Sequence, residues 1–345
     1  MAMFILAQSV FKTVAARYKT VKEQLYAKPY TCVCDGKAYT HNRTLLWLWK
    51  PISFARPQID LVRGRDYSFV DGGKKVSLNT LVGRIICPYK CGDPRLFSPG
   101  WKQGTAKLVL HQDGRWYLYV SLTCECEVPE REDVKTVIGA DRGLRFLINT
   151  SDSNNKNKFY SGREAAETRH KYSVRRAELQ AKGTKSAKRK LKQLSGKENS
   201  WMSNQNHCLS KALTEEYAYR DALFVLEDLT GVSFSAENLH GHEQSMQLRS
   251  WTFYALEQQL KYKGALRGIS VINVPAKYTS QRCPKCGNID KLARDHGKHE
   301  YHCRKCGFQT NDDRVGSLNL AYLGGRYLKG EDNPSITKST TADRK

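Results

Sequence analysis

Asp141, Glu227 and Asp313 each stand at the boundary of an apolar or helical run. Asp141 closes Thr136–Ala140 and Glu227 closes Leu223–Leu226. Asp313 opens a helical pattern, with Asn311 and Asp312 just ahead as capping residues. A charge emerging straight from an apolar run is costly unless it is paired or binds metal. Phosphodiester hydrolysis by two metal ions needs such carboxylates converging from the ends of rigid elements. Two Mg²⁺ (or Mn²⁺) ions roughly 4 Å apart activate water and stabilise the leaving oxygen. Mg²⁺ keeps several waters, so a few carboxylates suffice. Any one of the three alone is an ordinary turn or cap acid, and it is the ordered trio that stands out. Asp228 and Asp312 are the neighbours most easily mistaken for ligands.

A second metal chemistry is written in cysteine. Cys283-Pro-Lys-Cys286-Gly and Cys303-Arg-Lys-Cys306-Gly are two CxxC knuckles. Four thiolates at this spacing close a tetrahedral site around Zn²⁺. The glycine after each second cysteine permits the tight turn that aims backbone amides at sulfur. Such a closed site is structural, and in so short a segment the ion supplies the folding energy. Cys32 and Cys34, Cys87 and Cys91, and Cys124 and Cys126 are spaced loosely for zinc. The nine histidines are scattered. His240 and His242 fall in a polar loop and give only a weak signal.

Elements must position these groups. Residues 3–28 read as a helix, with Leu6, Val10, Val14, Tyr18, Val21 and Leu25 three or four apart. This pattern begins almost on Met1. Residues 45–128 read as mostly β. Asp113-Gly114 turns a hairpin between Leu108/Leu110 and the alternating Trp116, Leu118, Val120 and Leu122. Thr136–Ala140, Phe146–Asn149 and a strand from Phe159 form a meander that opens an α/β domain. Residues 163–220 are helical, 222–229 and Ile269–Val274 are buried strands, and 246–263 is a helix. A last helix runs from Asp313 to Leu323. Residues 329–345 lack a core pattern and read as a disordered tail.

Lys and Arg total 57 against 34 Asp and Glu, a formal charge of +23. A surface this cationic attracts polyanions, nucleic acid first. From Arg163 to Lys211 there are 13 basic and 4 acidic residues. Arg175, Arg176, Lys185, Lys188, Arg189, Lys190 and Lys192 are therefore the expected nucleic-acid contacts, against the bland reading of a solvated helix face. The apolar run at Met3–Ala7 is too short to span a membrane, and no basic residues precede it, as a secretory signal would require. The expected location is the cytoplasm, where cysteines serve as ligands or buried thiols rather than disulfides.

The motifs Val137-Ile-Gly-Ala-Asp141-Arg-Gly-Leu, Phe224-Val-Leu-Glu227-Asp-Leu-Thr-Gly and Tyr278-Thr-Ser-Gln-Arg-Cys283-Pro-Lys-Cys286-Gly occur in that order. Cys303-Arg-Lys-Cys306-Gly-Phe-Gln-Thr-Asn-Asp-Asp313 follows them. Together they resemble the split RuvC motifs and zinc ribbon of the TnpB family. These are transposon-encoded proteins related to the type V CRISPR effectors. The likeness covers residues 45–325 and includes Asn204-Gln-Asn-His207 and Ser210-Lys-Ala-Leu213.

The resemblance implies an α/β multidomain fold. Its parts are a partial helical recognition region (1–44), a wedge-like antiparallel β-barrel (45–130) and an RNase H-like RuvC domain (131–278 and 311–328). An inserted four-cysteine zinc ribbon (279–310) and the tail (329–345) complete the expectation. Family members begin with a wedge strand and a longer helical region, and this sequence starts inside the helical part. The resemblance also implies Asp141, Glu227 and Asp313 as catalytic acids, and Cys283, Cys286, Cys303 and Cys306 as zinc ligands. Its implied partners are a guide RNA from the element's end and double-stranded target DNA, bound by a monomer or weak dimer. Base pairing then reads sequence while protein reads backbone shape and a short flanking motif. The alternatives are a guide-dependent repressor without cleavage, a zinc-ribbon nucleic-acid-binding protein, and a transposase or its accessory.

Overall fold

Alternation along the strands decides which face each side chain enters. The computed structural model describes residues 2–27, 30–34, 37–41, 51–111, 113–143, 145–154, 156–229, 253–295 and 297–337. The expectations for His240, His242, the helix segment 246–252 and the tail from 338 lie outside them. Contacts divide the chain into residues 1–125 and 126–345.

The first unit opens with α1 (Ala2–Ala27) and a two-stranded ribbon, β1 (Tyr30–Cys34) and β2 (Lys37–His41). Two three-stranded antiparallel sheets follow. One joins β3 (Gln58–Leu61), β7 (Lys102–Leu110) and β8 (Trp116–Thr123); the other joins β4 (Tyr67–Val70), β5 (Lys75–Thr80) and β6 (Gly83–Pro88). The hairpin predicted at Asp113-Gly114 is present, with Asp113 Oδ1 accepting the Arg115 amide at 3.0 Å. Leu61, Tyr67, Val76, Leu78 and Ala106 fill a shared core. The expected barrel is not closed among the described residues. Closure needs a ladder between sheet edges, yet β6 and β8 each pair on one side only.

The second unit is built on one five-stranded sheet in the order β11-β10-β9-β12-β13. Its strands are β9 (Thr136–Asp141), β10 (Phe146–Asp152), β11 (Asn157–Ser161), β12 (Ala222–Asp228) and β13 (Ile269–Pro275). The first three form the antiparallel meander, while β9, β12 and β13 run parallel. Parallel strands are covered on both faces, which is why Ala222–Leu226 is apolar throughout. Ile138, Ala140, Phe224 and Leu226 pack on one side with Met202, Leu213, Leu256 and Leu260. Those partners come from α3 (Lys185–Glu216) and α4 (Phe253–Ala265), and α3 is preceded by α2 (Arg163–Lys182). Val137, Leu223 and Val225 face the other way, onto Leu320 and Leu323 of α5 (Asp312–Leu328).

By this parity the side chains of Asp141 and Glu227 belong to the α5 face. Three short strands, β14 (Arg294–Asp295), β15 (Glu300–His302) and β16 (Gln309–Asn311), carry the cysteine knuckles. The tail expected from residue 329 is ordered further than the sequence implied. Ile336 is buried in the α5-side cluster, and Arg326 Nη1 donates to the Ser335 carbonyl at 2.7 Å. A single apolar residue in a polar stretch is too weak a periodic signal to foresee this. Among the described residues, no helix is long and apolar enough to cross a membrane.

Candidate metal centre

Strand register brings the first two acids together. Leu226 lies opposite Ala140 in the parallel β9–β12 pair, so Asp141 and Glu227 leave the sheet side by side. Asp313 comes from the first turn of α5. Asn311 caps that helix, its Oδ1 accepting the Asp313 amide at 3.1 Å. Asn149, paired with Asp141 across the β9–β10 ladder, donates from Nδ2 to the Asp313 carbonyl at 2.7 Å. That bond ties the sheet to the start of α5. The approach is close enough to require glycine: a Cβ on Gly316 would lie 2.3 Å from Asp141 Oδ2, and one on Gly139 would lie 1.9 Å from the Ser317 carbonyl oxygen.

The electrostatics agree with convergence. Burial pushes the Asp141 carboxyl well above the usual carboxylate range, and Glu227 and Asp313 raise it further by repulsion. Burial raises Glu227 as well, opposed by the Thr279 hydroxyl and by Arg142 and Arg294. Asp313 is raised by burial and by Asp312, opposed by Arg294 and Arg145. Buried carboxylates crowded in this way are poised for a cation, the donor chemistry that a hard divalent ion requires. The three acids therefore fit the ions expected of them.

Basic residues surround the acids. Arg142 is buried; its Nη2 donates to the Glu227 carbonyl oxygen and its Nη1 to Glu257 Oε2 at 3.0 Å. Glu257 also accepts from Lys261 and Asn273, both at 2.8 Å. Arg145 Nη1 meets Asp313 Oδ2 at 2.9 Å, and Arg294 of β14 bridges Asp312 at 3.0 Å and Asp313 at 3.5 Å. His299, Asp312 and Asp313 offer atoms within 4.8 Å of one another. Asp312 is met there by Arg294 at 3.0 Å and Arg145 at 3.8 Å, so it sits in an ion-pair network, and Asp313 is the one member of this cluster shared with the three acids.

The four cysteines gather as the spacing predicted, with ligand atoms all within 4.8 Å of one another. Cys283 and Cys306 Sγ are 3.7 Å apart, and Cys286 and Cys303 Sγ 3.6 Å. A tetrahedral ion about 2.3 Å from each sulfur spaces them about 3.8 Å apart, so the donor set fits Zn²⁺. Gly287 and Gly307 take φ +73° and +71°, the left-handed turn that favours glycine. Burial pushes the Cys283 thiol up to about 12, whereas Cys303, despite burial, is drawn down to about 7 by the amides of Cys306 and Lys305.

The predicted nucleic-acid residues divide. Lys185, Lys188, Arg189, Lys190 and Lys192 stand exposed at the start of α3. Arg175 instead pairs with Glu178 at 2.6 Å, and Arg176 with Glu198, an ion pair linking α2 to α3. Sequence reasoning missed Asn149, Arg142, Arg294 and Thr279. Asn149 was findable as a polar residue within a buried strand. Arg142 was findable as a charge adjoining the buried acid. Arg294 and Thr279 depend on tertiary contact alone.

Residues 253–320 match the family described as "Cas12f1-like, TNB domain", and residues 121–230 match "Probable transposase". A CRISPR-associated endodeoxyribonuclease Cas12f1 of Sulfoacidibacillus thermotolerans is 28% identical over 238 residues, 64% of this chain and 54% of that protein. A putative RNA-guided DNA endonuclease, InsQ of Escherichia coli (strain K12), is 27% identical over 271 residues, 73% of this chain and 65% of that one. A TnpB-like protein of Methanocaldococcus jannaschii is 29% identical over 131 residues, 38% of this chain and 45% of that one. The chain is thus similar to proteins named as Cas12f1 and RNA-guided DNA endonucleases and to a TnpB-like protein. The two matched segments together contain all three acids and all four cysteines of the site. The chain spans 54% and 65% of the first two relatives' lengths.

Proposed function

We propose that this chain is an RNA-guided DNA endonuclease of a transposable element, cutting target DNA beside a short flanking motif at a single RuvC-type site. The observation that carries this reading is the convergence of Asp141, Glu227 and Asp313 on one face of the sheet, beneath Gly316. The sheet order, an antiparallel meander continued by two parallel strands, supports an RNase H-like RuvC domain. The first unit then serves as the wedge, the knuckle segment as a zinc ribbon and α1 as part of a recognition region. Magnesium, or manganese, bound by the three acids would supply water activation and leaving-group stabilisation.

The protein's own residues do the rest. Glu227 is held through its carbonyl by Arg142 and through its carboxylate by Thr279. Asn149 fixes the start of α5 and with it Asp313. Arg145 and Arg294 hold positive charge beside Asp313, where a phosphodiester would arrive. The exposed cations of α3 attract the guide RNA and target duplex without reading sequence. The relatives' names support guide RNA and DNA as partners. The reading places the protein in the cytoplasm as a monomer or weak dimer. The test is Asp141→Ala: cutting of a plasmid should vanish while binding of the guide RNA persists. Equal loss of both would make Asp141 a folding residue and end the nuclease reading.

A further inference from the structure

Thr279 is buried at 1% exposure, in the turn between β13 and the first knuckle. Its hydroxyl lies 2.5 Å from Glu227 Oε1 and 2.9 Å from the Ala276 carbonyl oxygen. A hydroxyl has one proton. When Glu227 is a carboxylate, that proton belongs on Oε1, the only charged acceptor of the two. One lone pair of Oε1 is then committed to Thr279, which fixes the carboxylate plane and so the direction in which its remaining lone pairs meet a metal ion.

The turn holds this hydroxyl firmly. Tyr278 takes φ +65°, a left-handed backbone unusual for an aromatic residue. Its carbonyl accepts the amides of Gln281 and Arg282, both at 3.0 Å. Asn319 of α5 is wholly buried and locks the turn from the other side. Its Nδ2 donates to the carbonyls of Thr279 at 2.7 Å and Arg282 at 2.8 Å, while Arg282 Nη1 donates back to Asn319 Oδ1 at 2.8 Å. Asn319 stands on the helix that carries Asp313, and Thr279 touches the acid carried by β12. The turn thus bonds Glu227 directly and is tied through Asn319 to the helix that bears Asp313, and a strained residue lies beside the hydroxyl that touches Glu227.

Given the nuclease reading above, we propose that Thr279 is a positioning residue of the metal centre, whose hydroxyl fixes Glu227 in the orientation that binds the divalent ion. Hydrogen-bond partners that orient a metal ligand carry about 10–100-fold in metal affinity or activity. Thr279→Val keeps the branched shape and removes the hydroxyl, whereas Thr279→Ser keeps the hydroxyl.

The full chain, loaded with zinc, is titrated with Mn²⁺ alone and followed by electron paramagnetic resonance. Cutting is then measured against Mg²⁺ concentration with the guide RNA bound. Thr279→Val should weaken Mn²⁺ binding and raise the Mg²⁺ half-saturation at least tenfold, with zinc content and unfolding midpoint kept. Thr279→Ser should stay within about threefold of the unaltered chain. Val binding Mn²⁺ as well as the unaltered chain, or Ser failing as badly as Val, overturns the assignment. If Val does not fold, Thr279→Ala, which also lacks the hydroxyl, takes its place in the comparison with Ser. If the unaltered chain binds Mn²⁺ but cuts nothing, the nuclease reading fails on its own, and the Val/Ser contrast in Mn²⁺ binding still decides the role of Thr279. Absence of Mn²⁺ binding overturns both.

Discussion

Gly316→Ala separates the chemistry of the site from the stability of the fold. The residue lies inside α5, where alanine is favoured over glycine by about 1 kcal/mol. The added Cβ would stand 2.3 Å from Asp141 Oδ2 and 2.7 Å from its Cγ, whereas ordinary contact begins at 3.4 Å. The shortfall is about 1 Å, and the atoms in the way are the end of a side chain rather than backbone. The Asp141 carboxylate should rotate aside and the helix should stay intact. A 1 Å misplacement of a catalytic group costs on the order of 100-fold in rate. Gly325→Ala is the control, because a Cβ there meets nothing within 4 Å on the same helix. Plasmid cutting by the guide-loaded protein should fall about 100-fold for Gly316→Ala and hold for Gly325→Ala, with unfolding midpoints equal to or above that of the unaltered chain. Cutting by Gly316→Ala at the control's rate, or lost only in proportion to unfolded protein, would refute the placement of Asp141 against α5.

Glu257→Ala leaves buried Arg142 without its carboxylate and should lower unfolding free energy by about 3–5 kcal/mol in a urea titration; a change under about 1 kcal/mol would contradict the network. Burial works against ionised Glu257, but Lys261, Asn273 and Arg142 together hold it below the usual carboxylate range. Its contribution is therefore present above the unfolded pKa of about 4.3 and is lost as pH falls through the lower folded value. Glu257→Gln should accordingly lose less stability than the unaltered chain on acidification below about pH 4. Alanine at Lys185, Lys188, Arg189, Lys190 and Lys192 should reduce the log–log salt slope of duplex binding by up to about 4.5, at about 0.9 per phosphate contact; an unchanged slope would mark this stretch as a solvated face. Cys306→Ser should drop zinc content from about one ion per chain and expose the Cys283 and Cys303 amides to hydrogen exchange.

Much of the site was legible because it follows from local rules. Thr136–Ala140 and Leu223–Leu226 read as buried runs ending in acid, which singled out Asp141 and Glu227, whereas their shared face follows from the β9–β12 register, which the sequence does not encode. The knuckle spacing and its glycines fixed the cysteine cluster. The boundaries of the last helix ran short, since Gly324 and Gly325 lower its propensity while Leu328 lies well past the expected end at Leu323. The barrel expected of the first unit came from the resemblance, since alternation reports which face is buried and says nothing of whether edges pair. Thr279, Arg294 and Asn319 were invisible for a related reason. Their partners lie tens of residues away, and neither period nor composition encodes such contacts.

The central claim is that Asp141, Glu227 and Asp313 share divalent metal. Crystals of the full chain soaked in Mn²⁺ and measured for anomalous scattering test it directly. The account predicts anomalous density among the three acids, with each acid placing a carboxylate oxygen about 2.0–2.1 Å from one of at most two ions, the range of Mg²⁺-type oxygen coordination. A peak elsewhere, or carboxylates that remain turned away from a bound ion, would contradict it.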